Sequence, residues 1–323
     1  MTTAAKKIFS YLLKAVILVL AGVFIYHRVN NNDNLRQFEN LIAHISRNQV
    51  IVTMSVVILL MIVNWVLESL KWQYLTRKLV KISAWEAIEA VFCGLTWAIF
   101  TPNRIGEYGG RVLFLPNRKR IHGVFAMAVG SFGQNVITNV LGLTALMWFA
   151  FTYHPINFWL ACGLSVGAIG FIVLILVLYF HIRWLVTLLN KIRFLKKYHR
   201  FFDIIGRYRF RELINIMLFC LSRFFVFSFQ YYLVIHLLMP QIPVFPMMMM
   251  VFILFFIQSA LPSLDLLDVG VRSMTASAFF VYITDQKLAV IAAVSSIWLI
   301  NLIIPAILGS VFVLKLKFFD RAS

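Results

Sequence analysis

Six apolar runs, at residues 8–26, 50–67, 124–151, 158–180, 213–239 and 288–314, constrain this chain more than any motif does. A helix needs about 20 residues, within a range of roughly 17–25, to cross about 30 Å of hydrocarbon, and each run meets that length. The rest of the composition agrees. Of 323 residues, 62% are hydrophobic and 13% charged, and the mean hydropathy is +0.88, which excludes an ordinary soluble domain. Lys6 and Lys7 precede the first run as in a signal peptide, but no small-residue cleavage site follows, so that run reads as a signal anchor.

Two shorter apolar stretches fit poorly as spans. Residues 84–100 begin with Trp85, Glu86 and Glu89 and end at Thr101-Pro102; residues 246–261 end at Pro262-Ser263-Leu264-Asp265. A second short piece follows each, at 109–115 and 271–283. Helix, breaker, helix is the pattern of a re-entrant hairpin, tolerated only where protein or a water-filled cavity satisfies the exposed backbone. Pro102, Gly106, Gly109, Gly110, Pro262 and Gly270 are the expected structural breakers.

Loop charges support that count. With both termini cytoplasmic, 21 of the 30 Lys and Arg residues fall inside, Lys71 among them, and only Arg28, Arg36, Arg47 and Lys287 fall outside. If one hairpin were a single span, the bias would collapse; if both crossed twice, it would persist. The sequence therefore predicts an all-α integral membrane protein with six full transmembrane helices plus two re-entrant helical hairpins in an inverted-repeat arrangement. It forms one transmembrane domain over residues 1–323, with halves at 1–151 and 152–323. The hairpins would enter from opposite sides and bring their tips together near the midplane. An acid followed four residues later by an arginine recurs, as Glu107 and Arg111 and again as Asp268 and Arg272.

The string Thr101-Pro102-Asn103-Arg104-Ile105-Gly106-Glu107, with Gly270-Val271-Arg272 after Pro262, resembles the transmembrane domain of lysylphosphatidylglycerol synthetases and their stand-alone, flippase-like relatives. The likeness covers nearly the whole chain in segment order. Ser273 stands where many members carry an acid, and Ser263-Leu264 where many carry a glycine pair. The resemblance implies a lipid translocation module with two re-entrant elements. It also implies no aminoacyl transfer, since a synthetase domain has no counterpart before Ser323.

The charges themselves suit that expectation. Ionisable residues at membrane depth cost about 2.5–3.5 kcal/mol each on insertion scales and are functional suspects by default. Arg104, Arg111 and Arg272 could grip a lipid phosphate, because a guanidinium stays charged and binds bidentately. Glu107, Asp265 and Asp268 could balance these arginines or bind an amine headgroup. Arg223, ten residues into a span, and Glu68 near the end of another complete the candidate substrate-binding residues. The alternative is that these charges only pair with one another and hold the hairpins together. Asn64, Gln134, Asn135, Thr138, Asn139, Gln230 and Asn301 read as interhelical hydrogen-bonding groups.

The segment 181–212 carries nine basic residues with Trp184, Leu185, Leu188 and Leu189 interleaved, and reads as amphipathic helix on the anionic cytoplasmic leaflet. The net charge of +18 thus belongs to a membrane rather than to nucleic acid. Cys93, Cys162 and Cys220 give no disulfide framework, and the seven histidines show no metal-ligand spacing. No catalytic motif and no nucleotide, metal or other cofactor site is visible. The leading expectation is a bacterial inner-membrane flippase that moves a phospholipid or a polyprenyl-phosphate-linked lipid and is not an enzyme. Two others stand beside it. A membrane-embedded transferase would use Glu107 or Asp268 as base. A non-transporting partner of an envelope-lipid enzyme would tolerate substitution of the hairpin charges; the partners expected are phosphate lipids, the anionic cytoplasmic leaflet, and a further copy of the chain or an envelope enzyme.

Overall fold

The computed structural model describes residues 41–43, 45–98, 101, 104–191, 204–260 and 265–313. Among these described residues five helices are long and apolar enough to cross a membrane: α1 (Arg47–Thr76), α4 (Arg120–Tyr153), α5 (Phe158–Phe180), α7 (Phe210–Leu238) and α10 (Lys287–Val313). They match five of the six apolar runs; the first run, at 8–26, lies outside the described residues. No strand occurs among the described residues. The chain is an all-helical, multi-pass membrane protein.

Shorter helices lie between these. They are α2 (Ala84–Ala98), α3 (Ile105–Val112), α6 (Ile182–Lys191), α8 (Val244–Ala260) and α9 (Asp265–Phe280). At 1.5 Å per residue α3 reaches only about 12 Å, and α2, α8 and α9 about 22–26 Å, all short of the roughly 30 Å hydrocarbon core.

Local chemistry sets several ends. Ser83 and Glu86 close a reciprocal capping box before α2: Ser83 N donates to Glu86 Oε2 at 2.7 Å and Glu86 N to Ser83 Oγ at 3.1 Å. His154, forced extended by Pro155, ends α4, and Asn157 caps α5 by accepting from Leu160 N at 2.8 Å. Glu212 ties the start of α7 by accepting from Arg209 N at 2.8 Å. In the turn just before, Tyr208 donates to Leu75 O at 2.9 Å, and burial, with Glu212 nearby, pushes its hydroxyl pKa well above the usual phenol range.

The glycines expected as breakers behave otherwise. Gly106, Gly110 and Gly109 lie inside α3 and Gly270 inside α9, because both second legs start earlier than the sequence suggests, at Ile105 and Asp265. Among the described residues no glycine has positive φ; the one non-glycine residue that does is Arg104, at φ 55°. The turn into α3 is thus made by an arginine, a left-handed conformation that costs about 1–2 kcal/mol outside glycine. Close approach explains two glycines instead. A β-carbon on Gly106 would strike the Trp97 carbonyl, and one on Gly110 would lie 2.6 Å from Gly94 Cα, so α2 and α3 pack backbone to backbone. Pro102 and Pro262 lie outside the described residues.

The packing is reciprocal. α7 lies along α1, α2 packs against α10, and α8 packs against α4. The two short-on-long contacts are built alike. A β-carbon on Gly309 of α10 would meet the carbonyl oxygen of Phe92 in α2, and one on Gly142 of α4 would lie 3.1 Å from the carbonyl oxygen of Phe252 in α8. Both glycines stand 22 residues beyond the start of their long helix, and both phenylalanines eight beyond the start of their short one. Small residues at such contacts let backbones approach where no hydrophobic drive exists between helices in lipid. α5 stays outside this core: it rests on α4, and Tyr179 is its buried residue.

Candidate functional site: a charged cavity among the helices

A cavity of about 470 Å³ opens among α1, α3, α4, α7, α8, α9 and α10, within the range of roughly 300–1,000 Å³ typical of small-molecule sites. Helical spacing puts the polar residues on its wall. Asn64, Glu68 and Lys71 form one stripe of α1, and Ser131, Gln134, Asn135 and Thr138 one stripe of α4. Arg223 enters from α7, Gln258 and Ser259 from the end of α8, Arg272 from α9, and Trp298 and Asn301 from α10. Arg104, Glu107 and Tyr108 come from the turn into α3 and its first residues.

The charges form a continuous network. Glu68, only 5% exposed, is the hub. It accepts from Lys71 Nζ at 2.7 Å and from Arg111 Nη1 at 2.5 Å, and it pairs with Arg223. Glu107 pairs with Arg111 and holds Arg104 Nε at 3.2 Å. Arg223 also donates from Nε to Asn64 Oδ1 at 3.0 Å and lies 5.5 Å from the centre of the Trp65 ring. Four cations therefore converge on two carboxylates, and Arg272 adds a fifth positive charge to the wall. Among the described residues the cations thus outnumber the carboxylates, an arrangement with the chemistry to hold an anion, and guanidinium groups suit a phosphate best.

Of the residues the sequence singled out, Glu68, Arg104, Glu107, Arg223 and Arg272 line the cavity. Arg111, 1% exposed, lies behind the wall and bridges the two carboxylates. The backbone of Asp265 and Asp268 belongs to α9, while their side chains lie outside the described set.

Lys71, counted with the cytoplasmic charges and also expected on one side of the second span with Asn64 and Glu68, lies with them in α1, is 3% exposed and reaches the cavity. Gln230 does make an interhelical bond, donating to Val57 O at 2.9 Å. So does Asn64, which accepts from Arg223 Nε of α7 and also lines the cavity, while Gln134, Asn135, Thr138 and Asn301, expected to do the same, share the cavity wall. Tyr108, Ser131, Gln258 and Ser259 were not foreseen there; Tyr108 donates to Ser131 Oγ at 2.9 Å. The three- and four-residue spacing on α4 was the one available signal.

A multi-pass helical membrane protein with a charged cavity among its helices is the class that fold and site define. The family model described as the lysylphosphatidylglycerol synthase TM region matches residues 11–310, and the chain belongs to that family. No curated protein and no solved structure gives a match.

Proposed function

We propose that the protein carries the phosphate headgroup of a membrane lipid between leaflets through this cavity, while the acyl or prenyl tails stay in the bilayer. The observation that carries the reading is the excess, among the described residues, of arginine and lysine over carboxylate around a cavity walled by spanning helices. Moving a charged headgroup through hydrocarbon is costly, and a polar path lined by fixed cations lowers that cost. Membership of a lipid-related family supports it.

Six spans, two re-entrant hairpins and both termini in the cytoplasm of a bacterial inner membrane complete the proposal. α2–α3 and α8–α9 act as the hairpins, their lengths being too short for a crossing. The repeated glycine-on-phenylalanine contact supports two halves built alike, and three spans from α1 to α7 make the second half inverted relative to the first. The Arg223 to Glu68 pair would then join the halves and break and reform as they rock. α6, with Trp184 exposed and Arg183 beside it, would rest on the anionic cytoplasmic leaflet. We read the protein as a carrier rather than an enzyme: Glu107, the base a transferase would need, is engaged by Arg104 and Arg111.

Reconstitution tests this. Liposomes containing the purified chain should exchange a fluorescent phosphate lipid between leaflets faster than protein-free liposomes, and Arg104→Ala or Arg272→Ala should return the rate to background with the fold intact. Normal exchange by both variants would rule the reading out.

A further inference from the structure

Resting on the translocation reading and its topology, we infer that the cavity is shut towards the cytoplasm, and that an ionic clasp between the end of α1 and the start of α7 is the gate that parts when a headgroup crosses to that leaflet. Burial marks the closed end. Among the described lining residues, Lys71 and Met127 stand nearest the end of α1 and the start of α4, the ends assigned to the cytoplasm, and are 3% and 5% exposed. Asn135, about two turns further along α4, and Ser259 near the end of α8 line the same cavity and are exposed. Behind Lys71 the floor is filled by Leu75, which is 1% exposed. A β-carbon on Gly130 of α4 would lie 2.7 Å from Leu75 Cδ1, so the glycine lets α1 close on α4 there.

Side chains tie α1 to α7 just below this floor. Glu212 holds Arg77 Nη2 at 3.2 Å with one carboxylate oxygen and Lys78 Nζ at 2.9 Å with the other. Asn215 donates to the Tyr74 hydroxyl at 2.9 Å, and the Arg77 guanidinium lies 3.8 Å from the centre of the Tyr74 ring. Tyr208 donates to the Leu75 carbonyl, so the stretch that carries Glu212 also holds the floor residue. From the clasp the seam between α1 and α7 continues through Arg223 and Glu68 to Gln230, which is wholly buried and donates to Val57 O. Its two ends part at different cost. Gln230 strands a buried amide when it lets go, whereas the side chains of Arg77 and Lys78, 47% and 26% exposed, exchange Glu212 for water. The clasp is therefore the end that opens, with Gln230 as the pivot.

Thiol labelling and a covalent clasp test this. In inside-out vesicles, Met127→Cys on a Cys162→Ser background should react slowly with a charged, membrane-impermeant maleimide; the background chain alone gives the contribution of buried Cys93 and Cys220. Adding Glu212→Gln, which removes both ion pairs and still accepts from Arg209 N, should speed that labelling about fivefold. Fast labelling before Glu212 is changed overturns the inference, as does labelling that Glu212→Gln leaves unaltered. In the second arm Arg77→Cys and Glu212→Cys, on the same background, are joined by a short reducible thiol crosslinker. Leaflet exchange in proteoliposomes should fall to the protein-free rate and return on reduction; exchange that the crosslink does not slow overturns the gate. The two claims fail separately. Labelling controlled by Glu212 without any lipid exchange sinks the translocation reading and leaves the gate, whereas exchange indifferent to the crosslink does the reverse.

Discussion

The two proposed halves have one glycine contact in common and differ in charge. Gly142 approaches the Phe252 carbonyl as Gly309 approaches that of Phe92, at matching depths of their helices, although a β-carbon on Gly142 would meet the Phe256 side chain first. The first half supplies both network carboxylates, Glu68 and Glu107, together with Lys71, Arg104 and Arg111. The second supplies Arg223 to that network, and Arg272 to the wall. Tyr231, as far into α7 as Glu68 is into α1, is buried and uncharged. Packing geometry is thus a property of the fold, and charge a property of the site laid on one side of it.

Substitutions can break or sharpen that contrast. Glu68→Ala has the largest expected effect, because it strands Lys71, Arg111 and Arg223 around one missing carboxylate. Breaking a buried ion network in this way costs about 3–5 kcal/mol, so the variant should unfold at markedly lower temperature in detergent. Tyr231→Phe, at the matching position, should lose far less. Next come the paired glycines. Gly309→Ala and Gly142→Ala should each destabilise by about 1–3 kcal/mol through overpacking, with Gly309 the worse, since its β-carbon meets rigid backbone. If only one of the two matters, the halves are not built alike.

Arg104→Gly separates structure from function. It relieves the left-handed backbone by about 1 kcal/mol and removes a half-exposed pair with Glu107 that contributes less than about 1 kcal/mol. Its melting temperature should stay level or rise while lipid exchange is lost. The smallest effect belongs to Gly167→Leu on α5, where an added side chain meets nothing within 4 Å. Its stability should stay within about 0.5 kcal/mol of the parent.

Much of this was legible in the chain. Spanning helices announce themselves by length and hydropathy, and an arginine in an apolar run stands out for its cost, which is why Arg104, Arg111, Arg223 and Arg272 could be named. What the sequence hid was convergence. The spacing of Asn64, Glu68 and Lys71 put them on one side of α1, but not against Arg111 and Arg223 from other helices. Gln134, Asn135 and Asn301 look like helix-to-helix hydrogen bonds because a polar residue in a span carries no sign of whether it faces a neighbour or a cavity. α5 and α10 are both strongly apolar, yet α5 rests against the bundle and α10 is its most buried span, a difference decided by the helices that pack on them. The glycines of α3 suggested a flexible turn, whereas the two that pack are there for close approach.

The most direct test of the central claim is leaflet exchange of fluorescent phosphatidylglycerol in proteoliposomes carrying Arg223→Ala, beside wild type and Gly167→Leu. Arg223 suits it because Lys71 and Arg111 still compensate Glu68 after its removal, so the fold survives. Wild type and Gly167→Leu should exchange lipid alike and Arg223→Ala at the protein-free rate. Arg223→Ala exchanging as fast as wild type would contradict a headgroup path through the charged cavity.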